Sequence, residues 1–195
     1  MKTSSRVYDS YAQAERVVRD LETADFPSSD ISLVANKHVS DQYANVDNVS
    51  EAGSGATMGA VVGGGAGLLT GLGLLAIPGL GPVVAAGWLA TTALGAVAGA
   101  ATGGIIGALI DGGETEDTAH VYSEAVRRGG TLVTVRSADS EVATVQEILD
   151  RQNPIDPDAR QAEYRSGGWN GFDPDAPAYT PTNSDVERNR RGDRI

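Results

Sequence analysis

Residues 52–110 read AGSGATMGAVVGGGAGLLTGLGLLAIPGLGPVVAAGWLATTALGAVAGAATGGIIGALI, without one charged side chain. A helical bilayer crossing needs about 20 predominantly apolar residues, so the stretch is long enough for two. Glycine recurs in it at intervals of four. Gly55, Gly59, Gly63, Gly67 and Gly71 form one ladder, and Gly87, Gly95, Gly99, Gly103 and Gly107 form a second, with Thr91 filling its gap. Four residues advance a helix by about 400°, so each ladder makes a slowly drifting stripe on one helical face. Glycine inside a helix costs about 1 kcal/mol relative to alanine, and close backbone approach between helices offsets that cost. Between the ladders, Pro78, Gly79, Gly81 and Pro82 spell a chain reversal. The reading is helix, tight turn, helix: a glycine-zipper hairpin that packs on itself and on other copies. It either crosses the bilayer or enters it as a monotopic wedge.

On both sides of the block the chain turns polar. Arg6–Asp9 reads as a short strand, and Tyr11, Ala14, Val17, Val18 and Leu21 follow at helical spacing behind Ser10 as cap. Pro27 ends that helix, and Ile31–Ala35 reads as a second strand, giving βαβ. After the block, Glu114–Arg128 has acidic residues at its start and Arg127-Arg128 at its end, as the helix dipole favours, and Gly129-Gly130 stops it. Thr131–Val135 is a strand and Asp139–Asp150 a helix; a last strand near Ile155 is opposed by Pro154 and Pro157. The expected architecture is α+β, a split ferredoxin-like domain (βαβ plus αβα) with the hairpin inserted between its second and third strands. The organisation is then 1–51 for the first half and linker, 52–110 for the hairpin and 111–155 for the second half. Residues 156–195, rich in Pro, Gly, Asn, Asp and Arg, read as a disordered polar tail. Tyr164, Trp169, Phe172 and Tyr179 punctuate that tail, which leaves room for a short docking segment and a protein partner.

A net charge of −11 opposes nucleic-acid binding, which needs clustered Lys and Arg. The absence of cysteine removes disulfides, thiolate chemistry and Cys-ligated metals. Met1–Arg6 is polar and leads directly into the first strand and helix, unlike a cleavable signal peptide. Lys37, Arg127 and Arg128 flank the block while its turn has no basic residue, so the positive-inside rule places both termini in the cytoplasm. A cytoplasmic soluble oligomer that buries the hairpin among its copies is the alternative location.

No phosphate-loop lysine exists, since no Lys follows Lys37. Gly71-Leu72-Gly73-Leu74-Leu75-Ala76 matches the loose dinucleotide fingerprint but lacks its strand–turn–helix context. His38 and His120 stand alone, and Asp111, Glu114, Glu116 and Asp117 read as a solvated helix start. No catalytic residue, metal ligand or cofactor is expected.

Four segments then carry a family resemblance: Val7-Tyr8-Asp9-Ser10; Phe26 with Asp30–Ala35; Ala76–Val83; and Arg127-Arg128-Gly129-Gly130 with Thr131–Val135. Together they resemble the bacterial general stress protein 17M-like, heat-induced stress protein YflT-like family, also labelled low-temperature-induced. The resemblance covers about Ser5–Asp150, and it implies a stress-induced protein with no catalytic residues to carry over. The function expected is a non-enzymatic general stress protein, associated with the lipid bilayer through a self-associating hairpin and scaffolding the envelope as a homo-oligomer. The alternative is a sensory ligand-binding module of the ferredoxin-like type coupled to the hairpin.

Overall fold

The computed structural model describes residues 1–36, 73–77, 80–89 and 104–173, together with 175, 176, 179 and 187. Its elements run β1 (Lys2–Tyr8), α1 (Tyr11–Thr23), β2 (Ile31–Asn36), β3 (Gly73–Ile77), β4 (Gly81–Ala86), α2 (Gly104–Asp111), α3 (Glu116–Arg127), β5 (Thr131–Ser137), α4 (Val142–Asp150) and α5 (Pro157–Ser166). The strands form one five-stranded sheet in the order β1-β5-β2-β4-β3, antiparallel throughout. β5 lies between β1 and β2, which are parallel to each other and joined by α1. It pairs from Lys2↔Ser137 to Tyr8↔Thr131 on one side and from Ile31↔Val135 to Ala35↔Thr131 on the other.

Local chemistry sets the element ends. Ser10 Oγ accepts the Gln13 N–H at 3.3 Å while Gln13 Oε1 accepts the Ser10 N–H at 3.1 Å, a capping box that starts α1. Thr115 caps α3 by accepting the Thr118 N–H. At the other end of α3, the Gly129 N–H donates to Val126 O and the Gly130 N–H to Ala125 O, the bond pair of a Schellman stop. A Cβ at position 130 would lie 3.1 Å from Tyr8 O, so glycine there lets the turn close against β1.

The sheet is covered on both faces. On one, α1 and α4 bury Tyr11, Val17, Leu21, Val145 and Leu149 against Tyr8, Leu33, Val133 and Val135. On the other, α2, α3 and α5 bury Leu109, Tyr122, Val126 and Tyr164 around Val7, Val34, Val83 and Leu132. Each fully buried aliphatic of this kind contributes about 1.5–3 kcal/mol. Every residue of β2 is buried, and β5 is buried almost throughout, as strands enclosed on two sides must be.

The α+β class is as expected, and the second half supplies its α, β and α elements in α3, β5 and α4. Two features differ, and the doubted strand near Ile155 is absent among the described residues, in keeping with its flanking prolines. β1 begins at Lys2, because pairing with β5 holds the polar run Thr3-Ser4-Ser5 extended although it has no apolar alternation. No strand follows α4 among the described residues; a single bond from the Ile155 N–H to Val7 O, at 2.8 Å, stands where a closing strand would pair with β1. Residues 157–166, expected to be disordered, form α5: Asp156 caps it by accepting the Ala159 N–H, Pro157 opens it, and Tyr164 is buried against the body.

The largest correction concerns the hairpin. The chain on each side of Pro78–Pro82 is strand, not helix, and β3 and β4 pair from Gly73↔Ala85 to Ile77↔Gly81. β4 then pairs with β2 from Leu33↔Ala86 to Asn36↔Val83. Four-residue glycine spacing does not distinguish helix from strand, and the open edge of the fully buried β2 decides the matter by taking a partner. Pro82 precedes the first pair with β2, so its missing N–H leaves that ladder intact. Because β2, β3 and β4 share one sheet, residues 37–72 leave it and return to it. The reading of Pro78–Pro82 as a turn between two bilayer-crossing helices is therefore not supported, since β3 and β4 flank it. Among the described residues no helix is long and apolar enough to cross a membrane.

Gly87 ends β4 with φ +85°, and a Cβ there would stand 2.1 Å from Ile31 O. Gly87→Ala is expected to lower unfolding free energy by about 2 kcal/mol or more in urea titration, combining left-handed strain with backbone overlap. Gly113→Ala, with φ +105° but open space around the new methyl, is expected to lose only about 1 kcal/mol.

Candidate functional site

The sheet face toward α2 and α3 grades from apolar to polar. Val7, Leu132 and Val34 form one row across β1, β5 and β2; two residues along, Ser5, Thr134 and Ser32 form the next, all three fully buried. Hydroxyls directly opposite across neighbouring strands have Cβ atoms about 4.5–5.5 Å apart, so the three make a continuous polar row. Ser32 Oγ accepts the Leu89 N–H at 2.9 Å. Thr134 Oγ1 has no hydrogen-bond partner among the described residues. Buried hydroxyls nearly always have one, and a water or small hydrogen-bonding ligand is the usual supplier when the protein is not.

Charged groups close this row at the β1 edge. Arg6 Nε donates to Asp150 Oδ1 at 2.8 Å. Burial raises the Glu114 carboxyl above its ordinary range, with the Arg6 charge and the Ser5 hydroxyl and backbone pulling the other way. Tyr122 is pushed up to about 12, first by burial and then by the Glu114 charge. Glu114, Arg6, Tyr122 and Ser5 thus bear on one another's charge at this partly buried edge.

A second concentration of charge lies at the end of α3. Glu124, 1% exposed, accepts from Arg127 Nε at 2.9 Å and from Arg128 Nε at 2.6 Å. A buried carboxylate between two guanidiniums keeps both charges compensated. The Arg128 guanidinium lies 4.4 Å from the Tyr164 ring centre, and Arg127 and Arg128 each lie 5.1 Å from that of Tyr179. Arg160 on α5 donates to both Asp9 oxygens, at 2.8 and 3.0 Å. Burial opposes the Arg160 charge, but Asp9 outweighs it and its pKa is raised. His120 Nδ1 accepts the Phe172 N–H at 3.1 Å. The segment after Asp156 is therefore docked on the body by named contacts.

Of the residues singled out from sequence, Gly55, Gly59, Gly63, Gly67, Gly71, Gly95, Gly99, Gly103, Pro78 and Gly79 lie outside the described residues. Gly81 and Pro82 open β4, and Gly107 lies within α2. Gly87 serves as the bend over Ile31 and not as a helix-packing rung. Among the described residues no group of His, Cys, Asp and Glu is placed to hold a metal. Sequence reading missed Glu124, whose spacing of three and four to the two arginines is the signal that marks it; the Asp9–Arg160 pair, and the hydroxyl row assembled from three strands, had no local signal.

The described residues form an α+β unit with one five-stranded antiparallel sheet, in which the Arg-Arg-Gly-Gly helix stop leads into β5 between β1 and β2. Residues 4–78 match the family model of the heat-induced stress protein YflT domain, which bears out the resemblance seen in the sequence. Neither the search of curated proteins nor that of solved structures returned a match. The matched stretch holds β1, α1, β2 and β3 but not β5, so it contains both parallel strands without the one that joins them.

Because the fold raises the Glu114 pKa, it favours the protonated form. That contribution to stability is fully present below the unfolded-state value and is lost as pH rises through the folded value. Glu114→Gln is expected to raise the melting temperature at neutral pH, and the gain is expected to shrink on acidification into the ordinary carboxylate range. Melting curves of both proteins across pH check this; a gain that grows with acid has the wrong sign.

Proposed function

We propose that this chain is a non-enzymatic protein of the general stress response that works by self-association through its glycine-rich segments. The family match supports the stress-response role. The observation that carries the assembly reading is the placement of β3. It is the last strand of the sheet among the described residues, and its sequence, Gly-Leu-Leu-Ala-Ile, has no charge, proline or lysine of the kind that blocks edge pairing. The ladder segments around it, 37–72 and 90–103, each start and end on the folded unit. The ladder glycines of those segments lie outside the described residues, and in this reading they meet the same glycines of other copies. The bilayer partner that fits this connectivity is a surface one, reached by monotopic insertion; envelope scaffolding would follow from assembly on that surface.

If the ladders are the assembly surface, replacing Gly63, Gly67, Gly99 and Gly103 by Leu is expected to abolish chemically crosslinked oligomers while leaving the melting of the α+β unit in place. Persistence of the oligomers would refute this reading. Fractionation of cells into membrane and soluble pools tests the surface contact separately.

The unpartnered Thr134 hydroxyl favours a second reading, the sensory module, in which the buried row of Ser5, Thr134 and Ser32 receives a small polar ligand. A ligand bound only by the folded state raises apparent stability by RT ln(1 + [L]/Kd), so a metabolite thermal-shift screen is expected to yield a hit that Thr134→Val removes. A hit indifferent to Thr134→Val would count against this site.

A further inference from the structure

We propose that Asn170-Gly171 is a site of self-modification: the Gly171 backbone nitrogen closes on the Asn170 side chain, and the isoaspartate that results releases Phe172 from its seat on α3. The reading is independent of the glycine ladders and of the hydroxyl row. Asn-Gly occurs once in the chain. Asn170 is exposed, and both residues lie outside helix and strand, just past the end of α5. Gly171 brings no side chain to hinder its own nitrogen, and where a Cβ would stand the nearest atom is His120 Nδ1, 4.0 Å away. Its φ of +145° is a backbone state that other residues rarely adopt.

The fold blocks the same chemistry at comparable positions. Asp111-Gly112 is the one Asp-Gly pair, but Asp111 ends α2 and the Gly112 N–H donates to Ala108 O at 3.1 Å, so that nitrogen is held in a helical bond. Asn36 is 7% exposed in β2, and its side-chain amide donates to Arg127 O at 3.3 Å. Asn153 precedes Pro154, whose nitrogen has no proton to lose.

The step balances without a cofactor. Solvent base removes the Gly171 N–H proton, and the nitrogen bonds to Asn170 Cγ. The bond from Cγ to the side-chain nitrogen breaks, and that nitrogen leaves as ammonia with a proton from solvent, closing a succinimide ring. Water then opens the ring. Attack at Cγ gives aspartate with the original backbone; attack at the Asn170 carbonyl carbon gives isoaspartate, whose main chain runs through Cβ and Cγ. Each product carries one negative charge that asparagine lacks, and nothing is oxidised or reduced.

The two products differ in what they do to the fold. Before the pair, the Trp169 N–H donates to Tyr164 O at 3.1 Å; after it, the Phe172 N–H donates to His120 Nδ1 at 3.1 Å, and Phe172 is 9% exposed. Isoaspartate inserts one more carbon between those anchors, about 1.5 Å of chain. A hydrogen bond already at 3.1 Å has little room to stretch before it is lost, so Phe172 leaves His120. Aspartate keeps the spacing and the contact. The reaction runs one way and faster when hot, so the released fraction records the age and heat exposure of the protein.

The test uses the folded, full-length chain, aged in neutral buffer and mapped by tryptic peptide mass spectrometry with isoaspartyl methyltransferase labelling. Isoaspartate is expected to accumulate at position 170 at least tenfold faster than at Asn36 or Asp111, and Asn170→Gln is expected to abolish it. An intact Asn170, or one that reacts only after unfolding in urea, would overturn the proposal. Amide hydrogen exchange then reads the seat of Phe172. Its N–H is expected to exchange at least tenfold faster in the isoaspartate form, separated by ion exchange, while Asn170→Asp keeps the protection of the parent chain. Equal protection in the isoaspartate form, or its loss in Asn170→Asp as well, would overturn the release by backbone lengthening.

Discussion

The antiparallel ladders on both sides of β5 hold the molecule together. β1 and β2 are parallel, are joined by α1, and do not touch as strands; β1 belongs to this sheet only through Thr131–Ser137, which lies between them. That position explains the composition of β5, Thr-Leu-Val-Thr-Val, whose β-branched residues suit a strand covered on both faces. It also explains why the turn before β5 is Gly129-Gly130. The end of α3 must come so close to Tyr8 O that a side chain at position 130 would not fit without displacing backbone.

From that strand the charge distribution follows. α3 leads into β5, and in its last turn Glu124 is buried with two arginines for partners. α5 then crosses to the same region through Arg160 and Asp9, and Tyr164 stacks on Arg128. One buried carboxylate thus organises two guanidiniums, and those guanidiniums organise the aromatics of the C-terminal segment. At the opposite corner, Glu114 and Arg6 play a less settled part, since burial there works against the carboxylate charge.

Local pattern made much of this legible. The capping box of α1, the acidic start and glycine stop of α3, and the β-branched run of β5 are all signals confined to a few neighbouring residues, and each marks a real element end. Interactions between distant parts left no such trace. Thr3-Ser4-Ser5 is extended because β5 pairs with it, and Ala76–Val83 is a β-hairpin because β2 has an edge to fill. Tyr164 through Phe172 looked like scattered aromatics in a polar tail because the surface that receives them is built by α3, some forty residues earlier. The hydroxyl row is the extreme case: Ser5, Ser32 and Thr134 come from three strands and are ordinary residues in each.

The strand that completes the sheet is also among the last elements to be made. On the ribosome, β1 and β2 emerge about a hundred residues before Ser137, which at about 5–20 residues per second is a wait of several seconds. From the emergence of Ile110 until that of Ser137, the whole charge-free stretch is outside the tunnel while the sheet still lacks β5. Such a chain closes its longest loops before it gains their contacts, which slows folding and prolongs the exposure of apolar segments. The hazard of aggregation is then greatest during synthesis, before β5 has paired.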